Sequence, residues 1–184
     1  LQRKMGNLSM AIENYLKALD IKKTYDKGWY SLGLAYKENG DIENAMNSFK
    51  ETVRLNSKYY KAHKSLGDIY IDTEEFDKAI SSFQKAIDVK PNYSFAYHSL
   101  GITYAKIENF EKSAEALSKA VEIAPKEHLS WFHLAEAYNK LGDCESAKEA
   151  ALESTDLKKN FGGGWFELGI AEYCSGSGLS LIHI

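Results

Sequence analysis

Residues 28–41 read GWYSLGLAYKENGD and residues 162–169 read GGGWFELG. Both place Leu-Gly three residues after a tryptophan, and that match is one phase of a longer rhythm. Trp29, His63, Tyr97, Trp131 and Trp165 are separated by steps of 34 residues. A leucine follows each by three places, at Leu32, Leu66, Leu100, Leu134 and Leu168. The next residue is always small: Gly33, Gly67, Gly101, Ala135 and Gly169. Tyr36, Tyr70, Tyr104 and Tyr138 come three further on, and Glu172 breaks that series. A second series keeps the same step. Its small members are Ala11, Ala45, Ala79, Ser113 and Ala147, and four places after them stand Tyr15, Phe49, Phe83, Leu117 and Ala151. Pro91 and Pro125 close two of the units.

Spacings of three and four put large apolar residues on one face of a helix. The small residues mark where two helices approach closely. Gly6, Gly40 and Gly142 fall at the expected turns, where a left-handed residue ends a helix most cheaply. Asn7, Asp41, Asn109 and Asp143 follow, with side chains able to accept the first free amides of a second helix. Each unit is therefore expected to be a helical hairpin that cannot cover its own apolar face, so that neighbours must stack.

The pattern resembles the tetratricopeptide repeat family, whose W-x2-L-G-x2-Y…A-x3-F…P signature residues 29–57 follow closely, with Ser57 in place of the proline. The resemblance implies an all-α, right-handed superhelical solenoid of 34-residue helix-turn-helix repeats. The expected organisation is an array over residues 1–175. It holds a partial repeat 1–25, repeats 26–59, 60–93, 94–127 and 128–161, and a partial repeat 162–175. Within it an orphan second helix is expected at 8–22 and a last first-helix at 163–175, with Gly162-Gly163-Gly164 a poor start. Residues 176–184 leave the register and read as a scar or disordered end; LSLIHI is similar to translated sequencing-adaptor read-through. The opening LQRKMGN reads as the cut end of a longer chain.

Composition narrows the function. A net charge of −3 gives no basic field for sequence-independent binding of nucleic acid. No apolar run is long enough to span a membrane. Cys144 and Cys174 are too few for a secreted disulfide framework and form no C-x-x-C pair, so they read as two unpaired thiols in a reducing compartment, the cytoplasm. No phosphate loop, nucleophile elbow or H-E-x-x-H pair occurs. His133 and Glu136 stand one turn apart without a third ligand in sequence, which makes them a solvated pair rather than a metal site. The expectation is a non-enzyme with no catalytic residue, cofactor or metal.

In the family, the concave wall is built from the second, fifth, ninth and twelfth places of each unit. Here these are Lys27, Tyr30, Leu34 and Lys37, then Lys61, Lys64, Asp68 and Ile71. Phe95, His98, Ile102 and Ala105 follow, then Leu129, Phe132, Glu136 and Asn139, and finally Phe166, Ile170 and Tyr173. The expected binding residues among them are four lysines (27, 37, 61, 64) in one half, and Tyr30, Leu34, Phe95, His98, Ile102, Leu129, Phe132 and Phe166. The implied partner is a protein, held as a peptide or helix, with acidic residues beside large apolar ones. The resemblance also raises the carboxylate clamp that some members use on chaperone tails. Lys64 suits its first place, but Asp68, Ser99, Leu129 and His133 do not suit the others. The asparagine ladder of the O-linked sugar transferase is replaced by Ser31, Ser65, Ser99 and His133. The alternative reading is a substrate-recruiting arm of a larger transferase, kinase or hydrolase.

Overall fold

In the computed structural model, which describes residues 2–177, the described chain is entirely helical outside its turns. Ten helices follow one another: α1 (Gln2–Ile21), α2 (Asp26–Glu38), α3 (Ile42–Leu55), α4 (Tyr60–Asp72) and α5 (Phe76–Val89), then α6 (Ser94–Lys106), α7 (Phe110–Ile123), α8 (His128–Leu141), α9 (Cys144–Leu157) and α10 (Gly162–Ser177). The chain divides into two compact units, Leu1–Pro91 and Asn92–Ile184. In the first, α2 pairs with α3 and α4 with α5; in the second, α6 pairs with α7 and α8 with α9. The all-α reading and the hairpin pairing hold.

Each hairpin is closed by the small-to-large match seen in the sequence. Phe49, Phe83 and Leu117 are fully buried. A Cβ added to Gly33, Gly67 or Gly101 would fall 2.6, 2.5 and 2.5 Å from those three side chains respectively. Glycine is therefore required for the helices to approach. In the fourth hairpin Ala135 faces this role with Ala151, and both are fully buried. The recurrent tryptophan has a polar task as well. Trp29, Trp131 and Trp165 each donate Nε1–H to a carbonyl six residues earlier, on Lys23, Pro125 and Lys159, at 2.8 Å. His63 places Nε2 at the same distance from the carbonyl of Ser57, which is why a histidine can stand in the aromatic's position.

The turns show a second periodicity. Gly40 and Gly142 are left-handed, at φ 81° and 73°. In the equivalent positions the chain forces Glu74 and Glu108 to φ 58°. A side chain there is strained where glycine is not. Glu74→Gly and Glu108→Gly should each raise the unfolding free energy by about 0.5–1 kcal/mol, read by denaturant unfolding. Asp41, Asn109 and Asp143 cap α3, α7 and α9, accepting the amides of Asn44, Lys112 and Ser146 at 3.1–3.2 Å.

Two expectations are corrected and the bounds of a third are made more exact. No turn occurs at Gly6–Asn7: α1 runs through both, so Asn7 caps nothing. A glycine inside a helix costs only about 1 kcal/mol relative to alanine, so Gly6 by itself does not enforce a turn. The expected last first-helix is present, and Gly162-Gly163-Gly164 begins it despite poor propensity. A Cβ on Gly163 would lie 2.9 Å from Phe161 and 3.1 Å from Phe132, and one on Gly164 would lie 3.1 Å from Ser154 Oγ, so close approach there outweighs poor propensity. The last helix continues to Ser177, two residues beyond its expected end; the rest of the 176–184 tail lies outside the described residues. Finally, Cys144 and Cys174 are bonded to each other, with Cα atoms 5.7 Å apart. The start of α9 lies beside the end of the neighbouring α10, and a separation of 30 residues hides that proximity from any local motif.

Candidate functional site

In the second unit, α8 touches both α6 and α10, so first helices of successive hairpins line one side. Places two, five and nine of each repeat project from it. Phe95 on α6 is 58% exposed and Leu129 on α8 is 39% exposed, although both are large and apolar. They share a hollow of about 450 Å³ with His98, Ser94, Ala124, Glu127 and Ser130. Ser130 is buried and forms the polar end of the hollow, with Oγ 2.8 Å from His98 Nδ1. The His98 ring stands 5.4 Å from that of His133.

Ile102 opens into a second hollow of about 390 Å³, with His133, Glu136 and Lys140 on its rim. His133 Nδ1 lies 3.1 Å from Glu136 Oε2. That bond holds the Glu136 carboxyl below its ordinary value, against the opposing effect of burial. No cluster of three metal-binding side chains exists among the described residues.

Two wall residues are committed to packing. The Phe132 ring is half-buried, edge-on to Phe161 at 5.1 Å. Asn139 is buried, and its amide donates to the Glu167 carbonyl at 3.1 Å and to Glu167 Oε2 at 2.8 Å, fastening α10 to α8. Burial raises the Glu167 carboxyl above its ordinary value, and the Asn139 bond offsets part of that rise. Phe166 on α10 is 68% exposed and sits in a different hollow, with Trp165 and Tyr173.

The first unit carries the lysines. Lys64 Nζ donates to Asp68 Oδ2 at 2.9 Å, and Lys37 Nζ lies 3.9 Å from the same oxygen. Two of the four expected binding lysines therefore share one carboxylate. Lys27 and Lys61 are exposed. Leu34 is exposed too, whereas Tyr30 is half-buried against Tyr59 and Phe49, with ring centroids 4.9 and 5.6 Å away. Burial raises the Tyr30 phenol above its usual value, and a hydrogen bond with Ser65 partly opposes this.

Sequence reasoning missed Ser130, Ala124, Glu127 and Ser94 as lining groups. Ala124 and Glu127 lie in the turn before α8, which wall positions taken only from first helices do not sample.

A TPR repeat family model matches residues 2–40 and 67–108. A tetratricopeptide repeat model matches residues 26–59, 96–127 and 129–161, more than half of the chain. Among solved structures, the fold is similar to that of MamA, at a TM-score of 0.78 and 26% identity over 86% of this chain and 92% of that one. It is similar to MamA 41-end from Desulfovibrio magneticus RS-1, at 0.76 and 24% over 86% and 90%. It is also similar to YrrB, described as a TPR protein with an unusual peptide-binding site, at 0.80 and 18% over 90% and 85%. No curated protein matches the sequence. The 34-residue spacing, the repeated glycine-to-aromatic contact and the two family-model matches agree: the chain belongs to the tetratricopeptide repeat family.

Proposed function

We propose that this protein is an interaction scaffold that seats an extended peptide or partner helix against α6 and α8, with a large apolar side chain of the partner in the Phe95–Leu129 hollow. The observation that carries this reading is the convergence of two exposed large apolar side chains on one cavity with a polar end at Ser130 and His98. Scattered exposed apolar residues need no explanation, but a concave apolar site with a few placed polar groups is the usual form of a binding pocket. The fold shared with YrrB, itself described as having a peptide-binding site, supports the same class of function. The preference for acidic partners rests on Lys27 and Lys61, since Lys37 and Lys64 are engaged with Asp68. No described helix is long and apolar enough to cross a membrane. A cytoplasmic site was expected from unpaired thiols. The Cys144–Cys174 bond removes that support, because such bonds persist mainly in oxidising surroundings.

The test starts with peptides selected on the intact protein from a random display library. Phe95→Ala with Leu129→Ala should weaken the enriched peptides by about 30-fold or more, the loss expected when an aromatic anchor is cut back. For the first unit taken by itself, Lys27→Ala with Lys61→Ala should weaken capture of acidic peptides only at low salt. Lys85→Ala with Lys119→Ala, on α5 and α7, serves as the control. Peptides that ignore the apolar pair but respond to the control would place binding on the second helices instead.

A further inference from the structure

At the last place of successive repeats stand Tyr25, Tyr59, Tyr93, Glu127 and Phe161, aromatic throughout but for Glu127. Three residues before them come Lys22, Asn56, Lys90, Ala124 and Lys158. The turn leading into α8 therefore lacks both the ring and the lysine that its counterparts before α2 and α10 carry.

Where the ring is present, its own chain packs it. Phe161 lies 5.1 Å from Phe132 and 5.1 Å from His128, edge-on to both, and a Cβ on Gly163 would fall 2.9 Å from it. Lys158 Nζ stands over the same ring at 5.7 Å. In the first unit Tyr59 lies 4.9 Å from Tyr30, the counterpart of Phe132, and Lys22 Nζ stands over Tyr25 at 5.8 Å.

Moved back by 34 residues, the surroundings of Phe161 become Ser94, His98, Ala124, Leu129 and Ser130. All five line the hollow of about 450 Å³, together with Phe95 and Glu127. That hollow is the ring site of its repeat, open because Glu127 brings no ring to it. Leu129 stands where Gly163 does and narrows the site without filling it. Glu127 does not cap α8: its side chain accepts no amide there, and its Oε1 is 3.8 Å from His128 Nδ1, too far for a hydrogen bond.

We propose that the hollow receives an aromatic side chain of the partner, phenylalanine or tyrosine, carried beside a lysine or arginine. This rests on the seating of a partner against α6 and α8 and specifies what that partner presents. The ring takes the place that Phe161 takes one repeat on, edge-on to His98 as Phe161 is to Phe132. The cation supplies what Ala124 does not, and Glu127 attracts it as the one acidic group among the lining residues, which include no lysine or arginine. An aliphatic anchor fills the same space and forgoes both contacts.

Three small probes separate these features: phenethylamine, a ring with an ammonium; 3-phenylpropionate, the same ring with a carboxylate; and hexylamine, an ammonium without a ring. Each is titrated into the whole chain to about 20 mM, because ligands of this size bind in the millimolar range. Binding is followed by NMR shifts at His98, Leu129 and Ser130. Phenethylamine should bind about 5-fold or more tightly than either of the others. Glu127→Tyr gives the turn the residue found at Tyr25, Tyr59 and Tyr93, and should abolish that binding. Glu127→Gln should bring the two ring probes to within about 2-fold of each other and keep both ahead of hexylamine. Circular dichroism of each variant checks that helix content is intact. No preference among the probes, or phenethylamine binding that survives Glu127→Tyr, would overturn the proposal. Selected peptides that depend on Phe95 and Leu129 but carry aliphatic anchors would overturn it while leaving the seating in place. Peptides that ignore Phe95 and Leu129 would overturn the seating itself, and this inference with it.

Discussion

Replacing Phe83 with alanine lowers the unfolding free energy by about 3–5 kcal/mol, the cost of emptying a fully buried aromatic site. Gly67→Ala is also destabilising on its own, by about 1–3 kcal/mol, because its Cβ would lie 2.5 Å from the Phe83 ring. The informative variant is the pair. With Phe83 cut back to alanine, the Gly67→Ala methyl group enters space that the ring has left and adds helix propensity of about 1 kcal/mol. The second substitution should therefore be neutral or favourable in that background, giving a coupling of more than about 1 kcal/mol in a double-mutant cycle. The fourth hairpin already holds this solution, with Ala135 and Ala151 both fully buried. Additive effects of the two substitutions, measured by denaturant unfolding, would show that the small and large positions are not a matched pair.

This matched pair explains why so much of the fold was legible. Gly33–Phe49 and Gly67–Phe83 are a packing rule repeated at a fixed step, and a rule repeated in sequence is visible without coordinates. The tryptophan position was legible as packing, but its hydrogen bond to a carbonyl six residues earlier was not, and it took His63 in the same role to reveal what the position requires. Features that break the repeat were read less well. Gly162-Gly163-Gly164 read as a poor start to the last helix because propensity is local, whereas the close approaches to Phe161, Phe132 and Ser154 that reward it are not. At the candidate site, the exposed Phe95 and Leu129 followed from their place in the register. Asp68 occupied the register too, but its bonding with Lys64 and approach to Lys37 depend on side-chain reach, which spacing does not encode.

The other large effect concerns the Cys144–Cys174 bond. Repeat spacing by itself predicts that residues 128–175 open before 60–125, because Ala151 and Ser154 replace larger or more apolar neighbours in the repeat. Both residues have structural compensation. Ala151 is matched by Ala135, and Ser154 donates Oγ–H to the His128 carbonyl at 3.0 Å while letting Gly164 come close. What remains is α10, held to α8 by the Asn139–Glu167 bonds and to α9 by the disulfide. A cross-link closing 30 residues contributes about 3–4 kcal/mol on loop entropy. Cys174→Ala should lower stability by about 2–4 kcal/mol. Amides of α10 should then exchange on the order of 100-fold faster, while those of α4 and α5 keep their rates, since opening in such arrays is local. In the variant the carboxyl-terminal helices open first; with the bond intact that order should weaken or vanish. Native protein that titrates with two free thiols, or a Cys174→Ala variant with unchanged α10 exchange, would mean that the bond does not hold this end of the array. Because Cys174 is only 3% exposed, reductant should reach it slowly, so the variant is a cleaner probe than added thiol.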